Sequence, residues 1–331
     1  MAKARLVSGI TATGQLTLGN YLGAIKNIVQ NQDHYDNFIF VADLHAITTY
    51  IDPQELMLNK KQIYALYLAC GVDPQKSTIF FQSAIAAHSQ LTWILTCQST
   101  MGELSRMIQF KDKSQKVIKQ ANKTEMIPTG LFTYPTLMAA DILLYNPELV
   151  PVGIDQKQHL ELAQNLISRI NKKYGLDFLI PKPFFGKIGQ KINSLVEPTQ
   201  KMSKSDKNLN ASIFLLDDPE IAYKKIQRAV TDSENKIYLA DQKPGIKNLL
   251  TIYAALKTID LEVAATYFAN KTYKDLKHEV GLLVKELLTK IQAQYQMYHN
   301  QIEVIAAQGA QKAAAVANEN LHKINKALGL I

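Results

Sequence analysis

The chain has 331 residues, 47% of them hydrophobic and 20% charged, which is an ordinary globular composition with room for two domains. No apolar run is long enough to cross a bilayer, and the first residues, MAKARLVSG, lack a signal-peptide core. The two cysteines, Cys70 and Cys97, lack the spacing of a metal site or disulfide framework, which predicts a reducing, cytoplasmic setting. The formal net charge of +8 suits a nucleic acid or nucleotide partner, and a lysine-rich compositional bias explains it equally well.

The N-terminal half alternates predicted strands with predicted helices. The strands are compact apolar runs at residues 5–10, 38–42 and 78–82. The helix after the second strand begins with Asp52 as N-cap and Pro53 at its first position. This alternation predicts an α/β fold with a parallel sheet between helices. Such sheets bind ligands beyond the carboxyl ends of their strands.

The first candidate site is the glycine-rich stretch SGITATGQLTLGNYLGAI, residues 8–25. It leaves the first strand through Gly9, turns at Gly14 and enters a helix at about Gly19 and Asn20. Glycine allows a close approach of backbone to ligand, and a helix N-terminus offers free N–H groups to phosphate. An ordinary tight turn between strand and helix explains the pattern equally well.

Two weaker signals come next along the chain. In FVADLHAIT, residues 40–48, His45 lies just past a strand, where a lone histidine is usually structural. In QFKDKS, residues 109–114, Lys111 and Lys113 fit a solvated helix face. Either segment can also contribute to a site at the sheet edge.

The stretch FTYPTLMAADILLYN, residues 132–146, places Tyr134, Met138 and Asp141 on one face of a predicted helix. Asp141 is the single charged side chain of the stretch, and burial of an unpaired carboxylate is expensive. We therefore expect a hydrogen-bonding partner. The partner is either another group of the protein or an N–H group of a ligand, and the spacing does not distinguish them.

In VPVGIDQKQH, residues 150–159, a short strand ends at Gly153 and Asp155 follows. An aspartate at this position either binds a ribose hydroxyl or simply caps the next helix.

The segment KMSKSDKN, residues 201–208, has three lysines and two serines. It is typical of a solvated loop, and the alternative is a mobile cationic clamp for a polyphosphate.

From about residue 215 the pattern becomes helical. Asp218 and Pro219 predict a helix start, and an apolar face follows at Leu276, Val280, Leu283, Leu287, Ile291 and Tyr295. The Ala-rich tail from 310 to 328 is also helical, and no convincing strand follows the lysine-rich loop. The pattern predicts a helical C-terminal domain over 215–331.

The order of these motifs resembles a known family. TLGN (17–20) followed by KMSKS (201–205) is similar to the signature pair of class I aminoacyl-tRNA synthetases. YPTLMAADILLYN and VPVGIDQKQH resemble the bacterial-type tryptophanyl-tRNA synthetase branch, as do GELSRMIQFKDKS, DLHAIT and LLDDPEIAYKKIQRAVTDSE. Thr17 and Asn20 replace the two histidines of the wider class, as is usual in this branch, and both can donate hydrogen bonds to phosphate.

The resemblance implies a Rossmann-like catalytic domain over 1–214 and an anticodon-binding domain over 215–331. It also implies a homodimer, with residues around 85–130 contributing to the interface. The implied reaction activates L-tryptophan with ATP, accompanied by Mg²⁺ held by phosphate oxygens and water rather than by a protein site. The tryptophanyl group then passes from the adenylate to tRNA(Trp).

The resemblance also assigns roles to individual residues. The catalytic group is Lys201, Lys204, Ser203, Lys113, Thr17 and Asn20, with Lys111 as a further candidate. Asp141 would accept the indole N–H, Tyr134 and Gln156 would hold the ammonium group, and Met138, Val150, Val152, Val7 and His45 would wall the ring. The ATP-binding set is Thr11, Ala12, Thr13, Gly19, Asn20, Gly153, Ile154, Asp155, Ile192, Lys201, Met202, Ser203, Lys204 and Ser205.

Two positions depart from the family pattern. Thr11 replaces a glutamine that often contacts nucleotide and amino acid, and Val7 replaces an aromatic ring found in some relatives. Three alternatives remain open: a tyrosyl-tRNA synthetase with the same fold, a catalytically idle RNA-binding relative, and a small nucleotidyltransferase. The intact lysines of KMSKS and the glycines at 14 and 19 disfavour the idle relative. Nucleotidyltransferases typically lack a helical tRNA domain.

Overall fold

A computed structural model describes residues 3–121, 126–153, 156–184, 191–204, 206–298 and 301–331, without the side chains of 113 and 116–121. The strands are β1 (Arg5–Thr11), β2 (Asp36–Ala42), β3 (Ser77–Phe81), β4 (Leu149–Pro151) and β5 (Lys182–Phe184). The helices are α1 (Leu18–Asn20), α2 (Lys26–Asn31), α3 (Asp43–Ala46), α4 (Pro53–Ala69), α5 (Ala87–Gln98), α6 (Met101–Ser105), α7 (Ile108–Ala121), α8 (Thr129–Leu143), α9 (Lys157–Tyr174), α10 (Pro219–Gln227), α11 (Pro244–Lys257), α12 (Leu261–Phe268), α13 (Tyr273–Tyr298) and α14 (Ile302–Ala327). A π-helical turn, Tyr21–Ile25, joins α1 to α2, and Gln82–Ala84 form a 3₁₀ turn after β3.

The strands form one parallel sheet in the order β3-β2-β1-β4-β5. This confirms the predicted α/β fold with a parallel sheet. The sequence did not predict β5, which is only three residues long and contains Pro183. Proline removes a ladder hydrogen bond and is tolerated mainly at a sheet edge, so the strand carries little local signal.

The two faces of the sheet are covered by different helices. Leu6, Ile39 and Ile79 face a core built with α4 and the C-terminal helices α10 to α13. Val7 and Phe40 point to the opposite core, which is built with α5, α8 and α9. This alternation along each strand gives the three-layer arrangement of a Rossmann-like fold.

The predicted helix starts at Asp52 and Asp218 are confirmed. Asp52 accepts from the backbone N–H groups of Gln54 and Glu55, and Asp218 does the same for the two residues after Pro219. In α13 the buried residues are Leu276, Val280, Gly281, Val284, Leu288 and Ile291. The predicted Leu283, Leu287 and Tyr295 are only partly buried, so the apolar face is centred about one residue away from its predicted line.

Within the described residues, no helix has both the length and the apolar character needed to span a membrane.

The last helix, α14, leaves the C-terminal bundle and packs against the edge strand β3. A Cβ added to Gly309 would lie 1.7 Å from the backbone oxygen of Ile79, so glycine is what permits this close approach. Further along α14, Asn320 Nδ2 donates to the Leu144 backbone oxygen at 2.8 Å. The helix thereby covers an edge that would otherwise be open to pairing. The predicted division at residue 215 stays a prediction, and α14 packs on the sheet side of it.

Candidate active site

The candidate residues gather where β1, β2, β3 and β4 end. The strand order reverses between β1 and β4, and open α/β sheets bind ligands in the crevice that forms at such a point. The turn after β1 carries Thr11 to Gly14, and α3 after β2 carries His45. Gln82 directly follows β3, and Val152 and Gly153 follow β4. The topology therefore assembles segments that are far apart in the sequence.

The TLGN segment forms the start of α1. Thr17 and Asn20 make a reciprocal capping box: Thr17 Oγ1 accepts from Asn20 N at 3.3 Å, and Asn20 Oδ1 accepts from Thr17 N at 3.0 Å. The Thr17 hydroxyl also lies 3.1 Å from Asn20 Oδ1, and the residue is 1% exposed. In this structure the Thr17 hydroxyl is engaged by the cap, and the predicted donation from Thr17 and Asn20 to phosphate stays a prediction.

The two signature segments meet in space. Lys204 Nζ donates to the Thr13 backbone oxygen at 3.1 Å, although the residues are 191 positions apart in the chain. A Cβ added to Gly19 would lie 3.6 Å from Ile192 Cβ and 3.7 Å from Met202 Cβ. Gly14, at φ +60°, adopts a left-handed conformation that favours glycine and faces the Lys204 side chain. The glycine-rich turn and the lysine loop thus line one cleft.

The lysine loop includes and continues the second arm of a short hairpin, here called the KMSKS hairpin (residues 192–204). Its arms pair through Met202 N to Ile192 O at 3.0 Å and through an antiparallel bridge between Asn193 and Lys201. Ser203 and Lys201 are exposed, and Lys204 is half-buried. Burial lowers the pKa of the Lys204 ammonium to about 8. The hairpin therefore presents one exposed lysine, Lys201, and one whose charge is partly desolvated, Lys204.

Asn248 of α11 ties this hairpin to the C-terminal bundle. Its Oδ1 accepts from Asn193 N at 2.8 Å and its Nδ2 donates to Asn193 O at 2.9 Å. Asn248 is 5% exposed, so both bonds are shielded from water. Val230 N, which follows α10, also donates to Leu195 O at 2.8 Å. These contacts tie the first arm of the hairpin, called its base below, to the C-terminal bundle.

Asp141 lies at the other side of the cleft in a network of protein donors. His45 Nε2 lies 2.8 Å from Oδ2, while Gln82 Nε2 and His88 Nδ1 each lie 2.6 Å from Oδ1. Burial raises the pKa of this carboxyl, but the bonds from the two histidines outweigh burial and hold the pKa at about 2. An ionised carboxylate only accepts, so all three nitrogens donate to it. Of the two partners foreseen for Asp141, the structure supplies the protein one.

The sequence did not predict the roles of Gln82 and His88, both of which are fully buried. Gln82 carried a usable signal, because it directly follows a predicted strand at the ligand-binding edge of the sheet. His88 gave almost no such signal, since it lies on α5, 53 positions before Asp141 in the chain. Its Nε2 lies 2.8 Å from the Tyr145 hydroxyl, which completes a buried chain of polar groups.

Tyr134 stands near the same pocket. Its hydroxyl lies 2.7 Å from His159 Nε2 and 3.3 Å from Gln109 Oε1, and its ring meets the His45 ring edge-on. Burial raises the pKa of its phenol, so the hydroxyl keeps its proton. Val7 and Val150 belong to the buried core beneath the site. Met138 and Val152 are partly exposed and pack against that core.

Among the predicted nucleotide contacts, Ala12 and Met202 are buried, and Thr11, Asn20 and Gly153 keep exposed surface. The side chain of Lys113 and the whole of Ile154, Asp155 and Ser205 lie outside the described residues. The N-cap residue of α9 is Gln156, and the predicted cap at Asp155 falls outside the described residues. In the described part of the chain, no group of three histidine, cysteine, aspartate or glutamate side chains is arranged to hold a metal ion.

Comparison with known proteins agrees with this geometry. The family model of class I tRNA synthetases (W and Y) matches residues 1–289. The chain is 56% identical over 330 residues to a tryptophan–tRNA ligase of Mycoplasmopsis pulmonis, covering 100% of this chain and 99% of the relative. It is 48% identical over 328 residues to one from Listeria monocytogenes, covering 98% and 97% of the two chains.

Solved structures show the same likeness. The crystal structure of tryptophanyl-tRNA synthetase from Mycoplasma pneumoniae superposes with a TM-score of 0.93 at 41% identity, covering 99% of this chain and 98% of that one. The Campylobacter jejuni enzyme complexed with ADP and tryptophan gives a TM-score of 0.80 at 30% identity, covering 98% and 99%.

The Rossmann-like fold and the paired signatures define an aminoacyl-tRNA synthetase of class I. The chain belongs to the class I tRNA synthetases for tryptophan and tyrosine. Within this family it is similar over its full length to tryptophan–tRNA ligases, which confirms the predicted resemblance.

Proposed function

We propose that this chain is a tryptophan–tRNA ligase, which activates L-tryptophan with ATP and transfers it to tRNA(Trp). The observation that carries the proposal is the buried, ionised Asp141 carboxylate beside Tyr134 and Met138. A carboxylate held in this way can accept the indole N–H. An amino acid without a ring N–H would leave this acceptor without its hydrogen bond from the substrate. Sites built to bind a polar group of one amino acid reject analogues that lack the group by factors of roughly 10⁴ to 10⁵.

The remaining amino-acid contacts follow from the same pocket. Tyr134 and Gln156 hold the ammonium group, and Met138, Val152 and His45 wall the indole ring above the buried Val7 and Val150. His45 has two tasks in this arrangement, since it also donates to Asp141. Placement of the ring by these groups brings the carboxylate of tryptophan toward the nucleotide cleft.

ATP occupies the cleft between the glycine-rich turn and the KMSKS hairpin. Gly19, Asn20 and Gly153 lie against the nucleotide, together with Ile192. Lys201, Lys204 and Ser203 face the triphosphate, with Ser205, Lys113 and Lys111 as further contacts. Mg²⁺ enters with ATP, bound by phosphate oxygens and water, and neutralises phosphate charge when bound.

Activation is an in-line displacement at the α-phosphate. A carboxylate oxygen of tryptophan forms a bond to phosphorus while the bond from phosphorus to the bridging α,β-oxygen breaks, and pyrophosphate leaves. The step needs alignment and charge stabilisation more than acid–base chemistry. Lys204 releases the Thr13 carbonyl and follows the departing pyrophosphate, on which negative charge increases. In the second step a ribose hydroxyl of the tRNA attacks the acyl carbon, and AMP leaves.

The proposal extends to partners. The C-terminal helices read the anticodon region of the tRNA, and the protein works in the cytoplasm as a homodimer. Support for an interface around 85–130 comes from Trp93, Met101 and Ile108, large apolar side chains that are 70%, 73% and 62% exposed. The +8 charge suits an RNA partner.

The test is pyrophosphate exchange with each of the twenty amino acids, followed by charging of tRNA(Trp). We expect ATP–pyrophosphate exchange with tryptophan and charging of that tRNA. Exchange with tyrosine in place of tryptophan would establish the alternative, a tyrosyl-tRNA synthetase. Absence of exchange with every amino acid would leave only a tRNA-binding role.

A further inference from the structure

The Asp141 carboxylate has an uneven distribution of partners between its two oxygens. Oδ1 accepts two hydrogen bonds, from Gln82 and His88, which uses both of its lone pairs. Within the described residues, Oδ2 accepts one bond, from His45. One lone pair on Oδ2 therefore stays available for a further donor.

The exposure of the partners shows which way that lone pair faces. Gln82 and His88 are 0% exposed and lie on the closed side of the carboxylate. The His45 side chain is 14% exposed and contacts the Tyr134 ring at the candidate pocket. The available acceptor is thus on the pocket side of Asp141.

His88 is itself held in one tautomer. Its Nδ1 donates to the carboxylate, so in the neutral ring its Nε2 accepts, and the Tyr145 hydroxyl is the donor there. Burial, together with the nearby Asp141 charge, raises the pKa of Tyr145, so this hydroxyl keeps its proton. Gln82 is fixed similarly, because its Oε1 accepts from Leu44 N at 3.0 Å while its Nε2 serves Asp141.

We infer that Gln82 and His88 are positioning residues for amino-acid selection: they occupy Oδ1 so that Oδ2 alone meets the ring N–H of the substrate. This inference rests on the proposed function and assigns a task to two residues outside the predicted site. They act through Asp141 and need not touch the substrate.

Loss of the His88 donor has a distinct consequence. Burial then acts on Asp141 with less opposition, so the pKa of the carboxyl rises and the group takes up a proton at a higher pH than in wild type. The other titratable groups that face Asp141 are His45 and Tyr145, and both are retained in the variants below. These two side chains are therefore common to wild type and variant.

The experiment uses a matched pair at one position. The amide of His88→Asn falls near the place of Nδ1 and keeps the donor to Asp141, whereas that of His88→Gln falls near Nε2 and keeps the Tyr145 contact. We expect His88→Gln to raise KM for tryptophan about tenfold at pH 7, since one charge-assisted bond is lost. KM should rise further as pH falls from 7 to 5, with kcat changed less. His88→Asn should stay within about threefold of wild type and show the wild-type pH profile, since the charge-assisted bond is kept.

Gln82→Met is a second probe should His88→Gln fold poorly. It has a similar volume and removes the donor to Oδ1, so it should raise KM for tryptophan with the same acid dependence. A wild-type pH profile in both donor-loss variants, with unchanged selection of tryptophan over phenylalanine, would overturn the inference. Wild-type enzyme that fails to exchange with tryptophan would instead refute the proposed function, so the two failures are distinguishable.

Discussion

The amino-acid pocket and the KMSKS hairpin differ in how firmly the protein holds their charged side chains. At Asp141 two buried donors, Gln82 and His88, and the partly exposed His45 hold one carboxylate, so its charge and orientation exist before any ligand arrives. At the hairpin, Lys204 makes one bond to the backbone oxygen of Thr13, and Lys201 is exposed. In the proposed function, the pocket assigned to tryptophan is thus fixed by its protein partners, and the loop assigned to the triphosphate is less tightly held.

This difference follows from the timing of the charge that each region must stabilise. The indole N–H is present throughout, so a fixed acceptor is effective from the first encounter. Charge on pyrophosphate increases only as the phosphorus–oxygen bond breaks, so a cation that moves with it stabilises the transition state more than the bound substrate. Four predictions test the contrast, in order of decreasing effect.

The largest effect is expected from Lys204→Ala. Removal of a cation that acts in the transition state should lower kcat for adenylate formation by about 10²- to 10³-fold, with a smaller change in KM for ATP. Lys207→Ala, at an exposed lysine of the same segment, is the matched control. Single-turnover pyrophosphate exchange measures both, and an equal loss in kcat and ATP affinity would contradict the clamp.

Asp141→Asn should lower kcat/KM for tryptophan by about 10²-fold, because a hydrogen bond to a charged acceptor is worth about 1.5–3 kcal/mol. The amide oxygen can still accept from Gln82 and His88, so the melting temperature should change little and KM for ATP should be retained. Asp141→Ala is a poorer choice, since it leaves three donors, two of them fully buried, without this acceptor. Unchanged tryptophan kinetics in the asparagine variant would remove the carboxylate from the selection mechanism.

The pH dependence of ATP use should report on Lys204. Its pKa of about 8 in the free protein lies below the ordinary lysine value, so the ammonium loses its proton as pH rises through 8. Triphosphate favours the charged form, and kcat/KM for ATP should therefore fall above pH 8, by at most about tenfold per pH unit. Lys204→Arg stays charged and should flatten this decline. A decline of the same slope in the arginine variant would assign it to another group.

The smallest kinetic effect is expected from Asn248→Ala, which frees the base of the hairpin from α11. Each unpaired backbone group at Asn193 costs about 1–3 kcal/mol when buried, so the hairpin should loosen and kcat should fall about fivefold. KM for tryptophan should not change, because the pocket is separate from this contact. The matched control on α11 is Lys247→Ala, which removes only an exposed pair with Asp241. A rise in KM for tryptophan would show that pocket and hairpin are not independent.

Much of this arrangement was readable from the sequence. Apolar runs at 5–10, 38–42 and 78–82 predicted β1, β2 and β3, and the caps at Asp52 and Asp218 predicted two helix starts. These features depend on neighbours within a few residues, so the local pattern contains the information. The signatures TLGN and KMSKS likewise predicted the family, because their residue types and order are specific.

Tertiary structure decided the features that depend on distant partners. No local pattern indicates that His88 and Gln82 both bind Asp141, or that Asn248 binds Asn193. Nor does a local pattern indicate that the Thr17 hydroxyl is engaged within the helix cap. The sequence likewise gives no signal that α14 packs on β3 at Gly309. Hydrogen-bond donors find acceptors according to where the sheet order and helix packing bring them, and that placement is a property of the whole fold.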